Sequence, residues 1–309
     1  MSMAASPERD DRWDGLGIDS PGDMESIIGR ITFAPQVSED VVKRFERVKS
    51  VLRFSYYDYD LSDVALDYSL LTLELGIKKR FQEVEGMDPG ERGLSQLIHW
   101  GSRRNLFEPD ANRLESLTQL RDVTAHPGRY SLMGYLAYDP IIFIVSLMND
   151  MYEDAGLRRE RRRIVRNVNR SLHGIVEHGA VMKSADASIG IFLARLLQVE
   201  NRVHPEICHF AFWPVFDVPA DKAAPIDEGK PIVITTTDFK LRDGGARLVV
   251  EGVSHAPITV EKFRDASDIG WFDAWLAAFE QDVRPEVLTI EGELSRIGYL
   301  LYTQALPER

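Results

Sequence analysis

The hydrophobic pattern of this chain changes near Gly156, and that change limits the architectures open to it. Before Gly156, apolar residues recur three and four positions apart, which is the spacing of amphipathic helices. After Gly179, helical segments alternate with short runs rich in β-branched and aromatic residues. The sequence therefore predicts an α+β protein, with an all-α helical bundle followed by a smaller α+β domain.

The clearest predicted helix covers residues 60–81. Its apolar stripe is predicted to comprise Leu61, Val64, Ala65, Tyr68, Leu71, Thr72 and Leu75. Ser38 is predicted to be the N-cap of an earlier helix, whose first turn contains Glu39 and Asp40. Another helix is predicted over residues 110–126, because Pro127 disfavours helical geometry at the residue before it. The last helix of the bundle, residues 140–152, has an apolar stripe wider than one packed face needs, which predicts a subunit interface beside it.

These patterns divide the chain into four segments. Residues 1–37 are rich in Asp, Gly, Ser and Pro, and are expected to form a flexible tail. Residues 38–155 are predicted to form the bundle. Residues 156–179 are expected to form an arginine-rich linker helix, and residues 180–309 an α+β domain of unknown role.

Within the predicted α+β domain, composition favours a mixture of elements. Residues 207–218 and 231–237 are predicted strands, and residues 239–252 a hairpin that turns at Asp243-Gly244-Gly245. Helices are predicted over residues 188–199, 270–279 and 291–301.

Charge and cysteine content restrict the functions open to the chain. The formal net charge is -12, so contact with nucleic acid requires a local basic patch. A zinc site built from Cys208, His204, His209 and His255 is not expected, because their order is not a recognised ligand spacing. No apolar run is long enough to cross a bilayer and the N-terminus is acidic, so a cytoplasmic protein without a membrane partner or a cofactor is expected.

The chemistry-bearing motif is Arg121-Asp122-Val123-Thr124-Ala125-His126-Pro127. An arginine binds phosphate bidentately, and a histidine titrates near neutral pH and can accept a proton from a hydroxyl. In a straight helix Arg121 and His126 would lie about 140° apart around the axis, so they converge only if the helix ends or bends between them. Asp122 is predicted to orient either group. The alternative interpretation is that His126 caps a helix end and Arg121 pairs with a nearby acid.

The region from Phe54 to His126 resembles the HEPN superfamily of helical-bundle proteins. An aromatic and acidic entry, Phe54-Ser55-Tyr56-Tyr57-Asp58-Tyr59-Asp60, leads into the long predicted helix. Leu97-Ile98-His99-Trp100 follows on the next helix. The segment from Leu120 to Pro127 is similar to the family motif, an arginine followed by a polar residue and, a few residues later, a histidine.

This resemblance implies a metal-independent endoribonuclease or toxin-like effector of a bacterial defence or toxin–antitoxin system. It implies a homodimer whose Arg121–His126 pairs face one cleft, and an antitoxin or another regulatory protein as a possible partner. RNA would be cleaved by attack of its own 2′-hydroxyl. One toxin subgroup carries a tyrosine two residues after the histidine, where this chain has Gly128, and the nearest tyrosine is Tyr130.

Two further features are candidates for RNA contact. The arginine run from Arg158 to Arg170 includes Arg158, Arg159, Arg162 and Arg163, which are predicted to contact RNA phosphates. A charge run is also typical of a solvated helix face. Aromatic residues at positions 54, 56, 57 and 59 either stack on bases or pack the mouth of the helix.

The sequence therefore leaves different classes of function open. The first is the ribonuclease or toxin-like effector acting on RNA. The second is a non-catalytic interaction or regulatory module whose C-terminal domain senses a ligand or partner. A third is an activity of the C-terminal half itself.

Overall fold

The chain separates into two compact units at Ala155 and Gly156, where the sequence pattern changes. The computed structural model describes residues 8–14, 16, 18–29, 31–107, 111–124, 134–185, 187–215, 230–243, 247–251, 257–282, 290, 294, 297–298 and 301. The first unit is helical and the second contains an antiparallel sheet, so the predicted α+β class is confirmed.

Helices make up the first unit. Their bounds are α1 Pro21–Gly29, α2 Glu39–Phe54, α3 Leu61–Glu85, α4 Leu94–Arg103, α5 Ala111–Thr124 and α6 Tyr138–Tyr152. Short 3-10 turns at Asp11–Trp13 and Gly134–Ala137 precede α1 and α6. α2 begins directly after Ser38, as predicted, although the Ser38 side chain makes no capping hydrogen bond.

The core of the first unit forms where α2, α3 and α6 meet. At Gly76 of α3, a Cβ atom would lie 3.8 Å from both Val41 of α2 and the Met148 sulfur of α6. The apolar stripe predicted for α3 is partly wrong. Ala65 and Thr72 are buried, but Val64, Tyr68 and Leu71 are 38–40% exposed. The buried face instead carries Leu66, Leu70, Leu73 and Ile77.

That error has a physical cause. α3 carries apolar residues around most of its circumference, so their spacing alone does not identify the buried side. The side is chosen by packing, since α2 and α6 both lie against α3.

The prediction that residues 1–37 form a flexible tail is wrong for the part of this segment that the structure describes. Trp13, Ile18 and Met24 are no more than 1% exposed, and the Trp13 indole donates a hydrogen bond to the Ser55 carbonyl at 2.8 Å. Buried Asn149 of α6 fixes the end of the segment. Its Oδ1 accepts from the Ala34 amide at 2.8 Å, and its Nδ2 donates to the Thr32 carbonyl at 3.1 Å.

The wide apolar stripe of α6 is used inside the first unit. Ile141, Ile144, Val145 and Met148 are fully buried, and the helix packs against α3 and the N-terminal segment. The breadth of this stripe is therefore no argument for a subunit interface. None of the described helices is both long enough and apolar enough to cross a membrane.

The second unit contains the helices α7 Ala155–Val176 and α8 Ala266–Asp282 and a seven-stranded antiparallel sheet. The strands are β1 Ala180–Lys183, β2 Ser188–Glu200, β3 Ile207–Pro214, β4 Ile232–Thr236, β5 Asp238–Arg242, β6 Arg247–Glu251 and β7 Ile258–Lys262. Their order across the sheet is β4-β3-β2-β1-β7-β6-β5. The predicted strands near 207 and 231 and the predicted β5–β6 hairpin are confirmed, and its turn at residues 244–246 lies outside the described residues.

The sheet is rolled rather than flat. Thr237 alone separates β4 from β5, although these strands lie at opposite ends of the sheet order. If a seven-stranded sheet were flat, its two end strands would lie about 29 Å apart, at about 4.8 Å per strand. The two Cα–Cα steps from Thr236 to Asp238 cover less than about 8 Å. The chain therefore turns a corner at Thr236, whose Oγ1 accepts a hydrogen bond from the Asp238 amide at 3.0 Å.

The rolled sheet curves around α7. Val168, Leu172, Ile175 and Val176 of this helix share one hydrophobic core with residues from every strand. Asn169 adds a polar link, because its side-chain amide donates to the Leu196 carbonyl at 3.1 Å and accepts from the Leu196 amide at 2.7 Å. The helix predicted over residues 156–179 is present as α7, but it is not a linker, since four of its residues lie in the second unit's core.

Residues 188–199 were predicted to be helical, and the structure contradicts this. They form β2, which is paired with both β1 and β3. Its leucines and alanine favour a helix locally, but pairing on both sides outweighs that preference. The strands β1 and β7 were not predicted. The helix predicted over residues 270–279 is confirmed as part of α8, and the one predicted over 291–301 lies mostly outside the described residues.

Candidate functional site

Arg121 lies in the last turn of α5 and extends toward α3. Its side chain is 28% exposed, and its Nε atom is 3.9 Å from Glu74 Oε2. The other carboxylate oxygen of Glu74 pairs with Lys78 Nζ at 2.7 Å. Glu74 therefore places a negative charge beside Arg121 on the surface of α3.

The other residues of the motif have different positions. Asp122 follows Arg121 on α5 and is exposed. His126, together with Pro127, Gly128 and Tyr130, lies outside the described residues. The convergence of His126 with Arg121 therefore stays a prediction. The Arg121–Glu74 pair is the kind of contact that the alternative interpretation of Arg121 expects.

The arginines of α7 do not share one face. Arg158 is buried at 3% exposure, Arg162 is half-buried, and Arg159 and Arg163 are exposed. Arg163 pairs with Glu160 at 2.6 Å. Contact of Arg158 with a phosphate therefore stays a prediction, and of these four arginines Arg159 and Arg163 are the exposed ones.

Helical periodicity selects a different set of arginines from the one predicted. The exposed members lie four, three and four positions apart and form one stripe along α7: Arg159, Arg163, Arg166 and Arg170. The predicted set contains two pairs four positions apart, Arg158 with Arg162 and Arg159 with Arg163, and only the second pair lies in the exposed stripe. This spacing was available from sequence once α7 was recognised as a helix with one buried side.

The aromatic entry divides between packing and exposure. Tyr56 is 7% exposed, and Tyr59 packs on Trp13 with ring centroids 4.6 Å apart. Phe54 is 62% exposed and Tyr57 is 37% exposed. Only the latter two, of these four residues, present surface to which a base could stack.

A buried polar cluster lies where α7 meets the ends of β2 and β3. Glu200 is 3% exposed and accepts hydrogen bonds from the Arg202 amide at 2.9 Å and from Arg202 Nε at 2.6 Å. Burial raises the pKa of Glu200, but these hydrogen bonds outweigh it and the net pKa is lowered. His209 Nδ1 lies 2.9 Å from Thr235 Oγ1, and burial lowers the pKa of this imidazole. The cluster holds charges inside the fold.

Cys208 is unsuited to nucleophilic chemistry. It lies in the core around α7, and burial raises the pKa of its thiol to about 11, so the thiol is protonated at neutral pH. His209, its neighbour on β3, has the opposite orientation along the strand. Within the described ranges no three His, Cys, Asp or Glu side chains are grouped as metal ligands would be.

Comparison with protein-family models, with curated protein sequences and with solved structures found no match to this chain. Its function is therefore argued from its own residues.

Proposed function

We propose that the first unit is a metal-independent endoribonuclease module centred on Arg121 and His126. The observation that carries the proposal is the position of Arg121, a partly buried side chain at the end of α5 whose Nε atom lies 3.9 Å from Glu74 Oε2. An arginine in this position carries the planar guanidinium that suits bidentate contact with a phosphate group. The family resemblance of the motif supports the same assignment.

The proposed reaction needs no metal ion. The His126 imidazole removes the proton of a ribose 2′-hydroxyl, and the 2′-oxygen attacks the adjacent phosphorus as the bond to the 5′-oxygen breaks. The leaving 5′-oxygen takes up a proton from water. Arg121 stabilises the charge that develops on the phosphate oxygens. Asp122 is assigned the role of orienting the side chain of His126 or of Arg121. The products are a 2′,3′-cyclic phosphate and a 5′-hydroxyl.

A homodimer is part of the proposal. Val64, Tyr68 and Leu71 form an exposed apolar face of α3, the helix that also carries Glu74. Burial of this face by a second copy would place the dimer contact on the same helix as the candidate site. Sedimentation is expected to show a dimer at micromolar concentration, and Leu71→Glu is expected to shift it to monomer. A wild-type monomer that cleaves RNA fully would contradict this part.

A second candidate function is a non-catalytic interaction module, for which an antitoxin or another regulatory protein is a possible partner. The Arg121–Glu74 pair favours it, because an arginine held by an acid also serves a purely structural role. In this candidate, α5 and α3 form a binding surface and the second unit senses a ligand or partner.

Cleavage in the presence of a chelator separates the two. Purified protein is expected to cut single-stranded RNA in EDTA and to leave 2′,3′-cyclic phosphate ends, which are identified by mass spectrometry. His126→Ala is expected to abolish cleavage without loss of fold. Cleavage that needs a divalent ion, or that persists in His126→Ala, would contradict the ribonuclease assignment.

A further inference from the structure

An open cleft of about 770 Å³ lies between the end of α3 and the exposed side of α4. Its floor is aromatic. Phe81 and Trp100 are less than 9% exposed, and their ring centroids are 4.8 Å apart. Because both rings are covered, they give the cleft a rigid base and offer little surface for stacking.

Glu85 is the one carboxylate among the described residues that line the cleft, and it is already engaged. Glu85 Oε1 accepts a hydrogen bond from the Trp100 indole at 2.7 Å. Arg104 binds Glu85 through two hydrogen bonds of 2.9 Å, one to each carboxylate oxygen. The Trp100 hydrogen bond and the Arg104 contact hold the pKa of Glu85 below its usual value, so this carboxylate stays charged and paired. Glu85 therefore neutralises Arg104, and the described lining offers no second carboxylate to the other cations of the cleft.

Those cations form its rim. Arg92 lies 4.9 Å above the Phe81 ring, and its guanidinium also donates to the Pro89 carbonyl. Gln96, His99 and Arg103 follow one another three and four positions apart on the exposed side of α4. Neither Arg92 nor Arg103 forms an ion pair with any carboxylate in the part of the chain that the structure describes. A cationic rim of this kind stands out on a chain whose net charge is -12.

The side chains that line the cleft indicate the chemical class of ligand that it binds. The open cleft is lined by two guanidinium groups that form no ion pair with a described carboxylate, by an imidazole and by an amide. Such a set of donors suits a ligand with several anionic oxygens better than a single buried charge. Arginine is the side chain best suited to bidentate contact with phosphate. The covered rings leave base stacking a minor contribution, so the contacts are to phosphates and sugars.

We propose that this cleft binds consecutive phosphate groups, with Arg92 and Arg103 as bidentate donors and His99 and Gln96 as supporting hydrogen-bonding groups. The phosphates belong either to a single-stranded RNA or to the polyphosphate of a free nucleotide. The cleft is separate from Arg121, and its ligand binding does not depend on the proposed cleavage.

The test uses the full chain and a labelled single-stranded oligonucleotide with 2′-O-methyl groups. This probe lacks the attacking hydroxyl, so binding is measured whether or not the protein cleaves RNA. The variant Arg92→Gln/Arg103→Gln is compared with a matched control, Arg44→Gln/Arg47→Gln, which removes two exposed arginines from α2. Fluorescence anisotropy is recorded at several salt concentrations, and circular dichroism checks the fold of each protein.

The cleft variant is expected to bind at least about tenfold more weakly, and its salt slope is expected to fall by about 1.4, since each lost phosphate contact removes about 0.7 for single strands. The α2 control is expected to retain wild-type affinity within about twofold. Competition by ATP and inorganic triphosphate identifies the source. Displacement of the probe at micromolar ATP assigns a nucleotide, and absence of displacement assigns RNA.

The proposal is overturned if the two double variants lose affinity for the oligonucleotide equally, or if the cleft variant binds it as the wild type does. It is also overturned if the wild type does not bind the oligonucleotide. Loss of EDTA-resistant cleavage in His126→Ala with unchanged probe binding would separate this cleft from the proposed active site. The two proposals therefore fail by different measurements.

Discussion

Single side chains decide how irregular backbone is held in this protein. Asn149 satisfies the backbone of Thr32 and Ala34 in the first unit, and Asn169 satisfies both polar groups of Leu196 in the second. The pairing of β1 with β2 extends only from Ser188 to Ile191 of β2. Leu196 therefore lies beyond β1, and its backbone on that side of β2 is paired by the Asn169 amide. A buried backbone group without a partner costs about 1–3 kcal/mol, which explains why an amide side chain stands at each position.

Asn169→Ala is expected to lower the free energy of unfolding of the second unit by about 1–3 kcal/mol, because the Leu196 amide and carbonyl lose their partner. Asn167, exposed on the same helix, supplies the control. Asn167→Ala is expected to change stability by less than about 0.5 kcal/mol. Urea denaturation measures both, and an equal effect of the two substitutions would show that the Asn169 contact contributes nothing.

Arg121→Lys tests the proposed active site at the same scale. Lysine keeps the charge near Glu74 but lacks the planar fork that binds two phosphate oxygens. The variant is expected to unfold within about 1 kcal/mol of the wild type and to cleave at least about a hundredfold more slowly. Melting temperature and RNA cleavage are measured on the same preparation. Wild-type cleavage by a stable variant would remove Arg121 from the site.

At the scale of elements, α7 has two sides with different roles. One side packs in the core of the rolled sheet, while the opposite side carries the exposed arginine stripe at positions 159, 163, 166 and 170. Arg158, in the first turn of the helix, is buried. A charge run in sequence therefore contains both structural and surface arginines. The stripe is the part of α7 that is available to a phosphate backbone.

Replacing Arg159, Arg166 and Arg170 with Gln is expected to weaken RNA binding and to reduce the salt slope by up to about 2, at about 0.7 for each phosphate contact. Arg158→Gln alters a buried side chain. It is therefore expected to lower the free energy of unfolding and to leave the salt slope of RNA binding unchanged. Anisotropy titrations and urea denaturation of both variants measure these effects. If the salt slope of the triple variant equals that of the wild type, the arginine stripe does not contact RNA and is a solvated helix face.

At the scale of the whole molecule, the boundary between the units decides which fragments can fold. α7 supplies Val168, Leu172, Ile175 and Val176 to the core around which the sheet curves. A domain that begins at residue 180 would expose this core to water. Loss of four buried apolar side chains costs about 8–20 kcal/mol, which matches or exceeds the net stability of a typical domain, about 5–15 kcal/mol.

A fragment of residues 155–309 is therefore expected to unfold cooperatively in urea, and a fragment of residues 180–309 is expected to be unfolded or aggregated. Far-UV circular dichroism and sedimentation report the outcome for each. If residues 180–309 form a stable monomeric fold, then α7 is a dispensable linker after all.

The sequence by itself determined the helical first half, the change near Gly156, the start of α2 after Ser38 and the strands β3 and β4, because the local spacing of apolar residues carries that information. Tertiary structure decided the rest. The buried side of α3, the strand state of β2, the burial of Trp13 and the partition of the α7 arginines all depend on partners distant in sequence. The cationic cleft has the same origin, since Phe81 and Glu85 of α3 meet Arg92 and Arg103 only when α3 and α4 pack together.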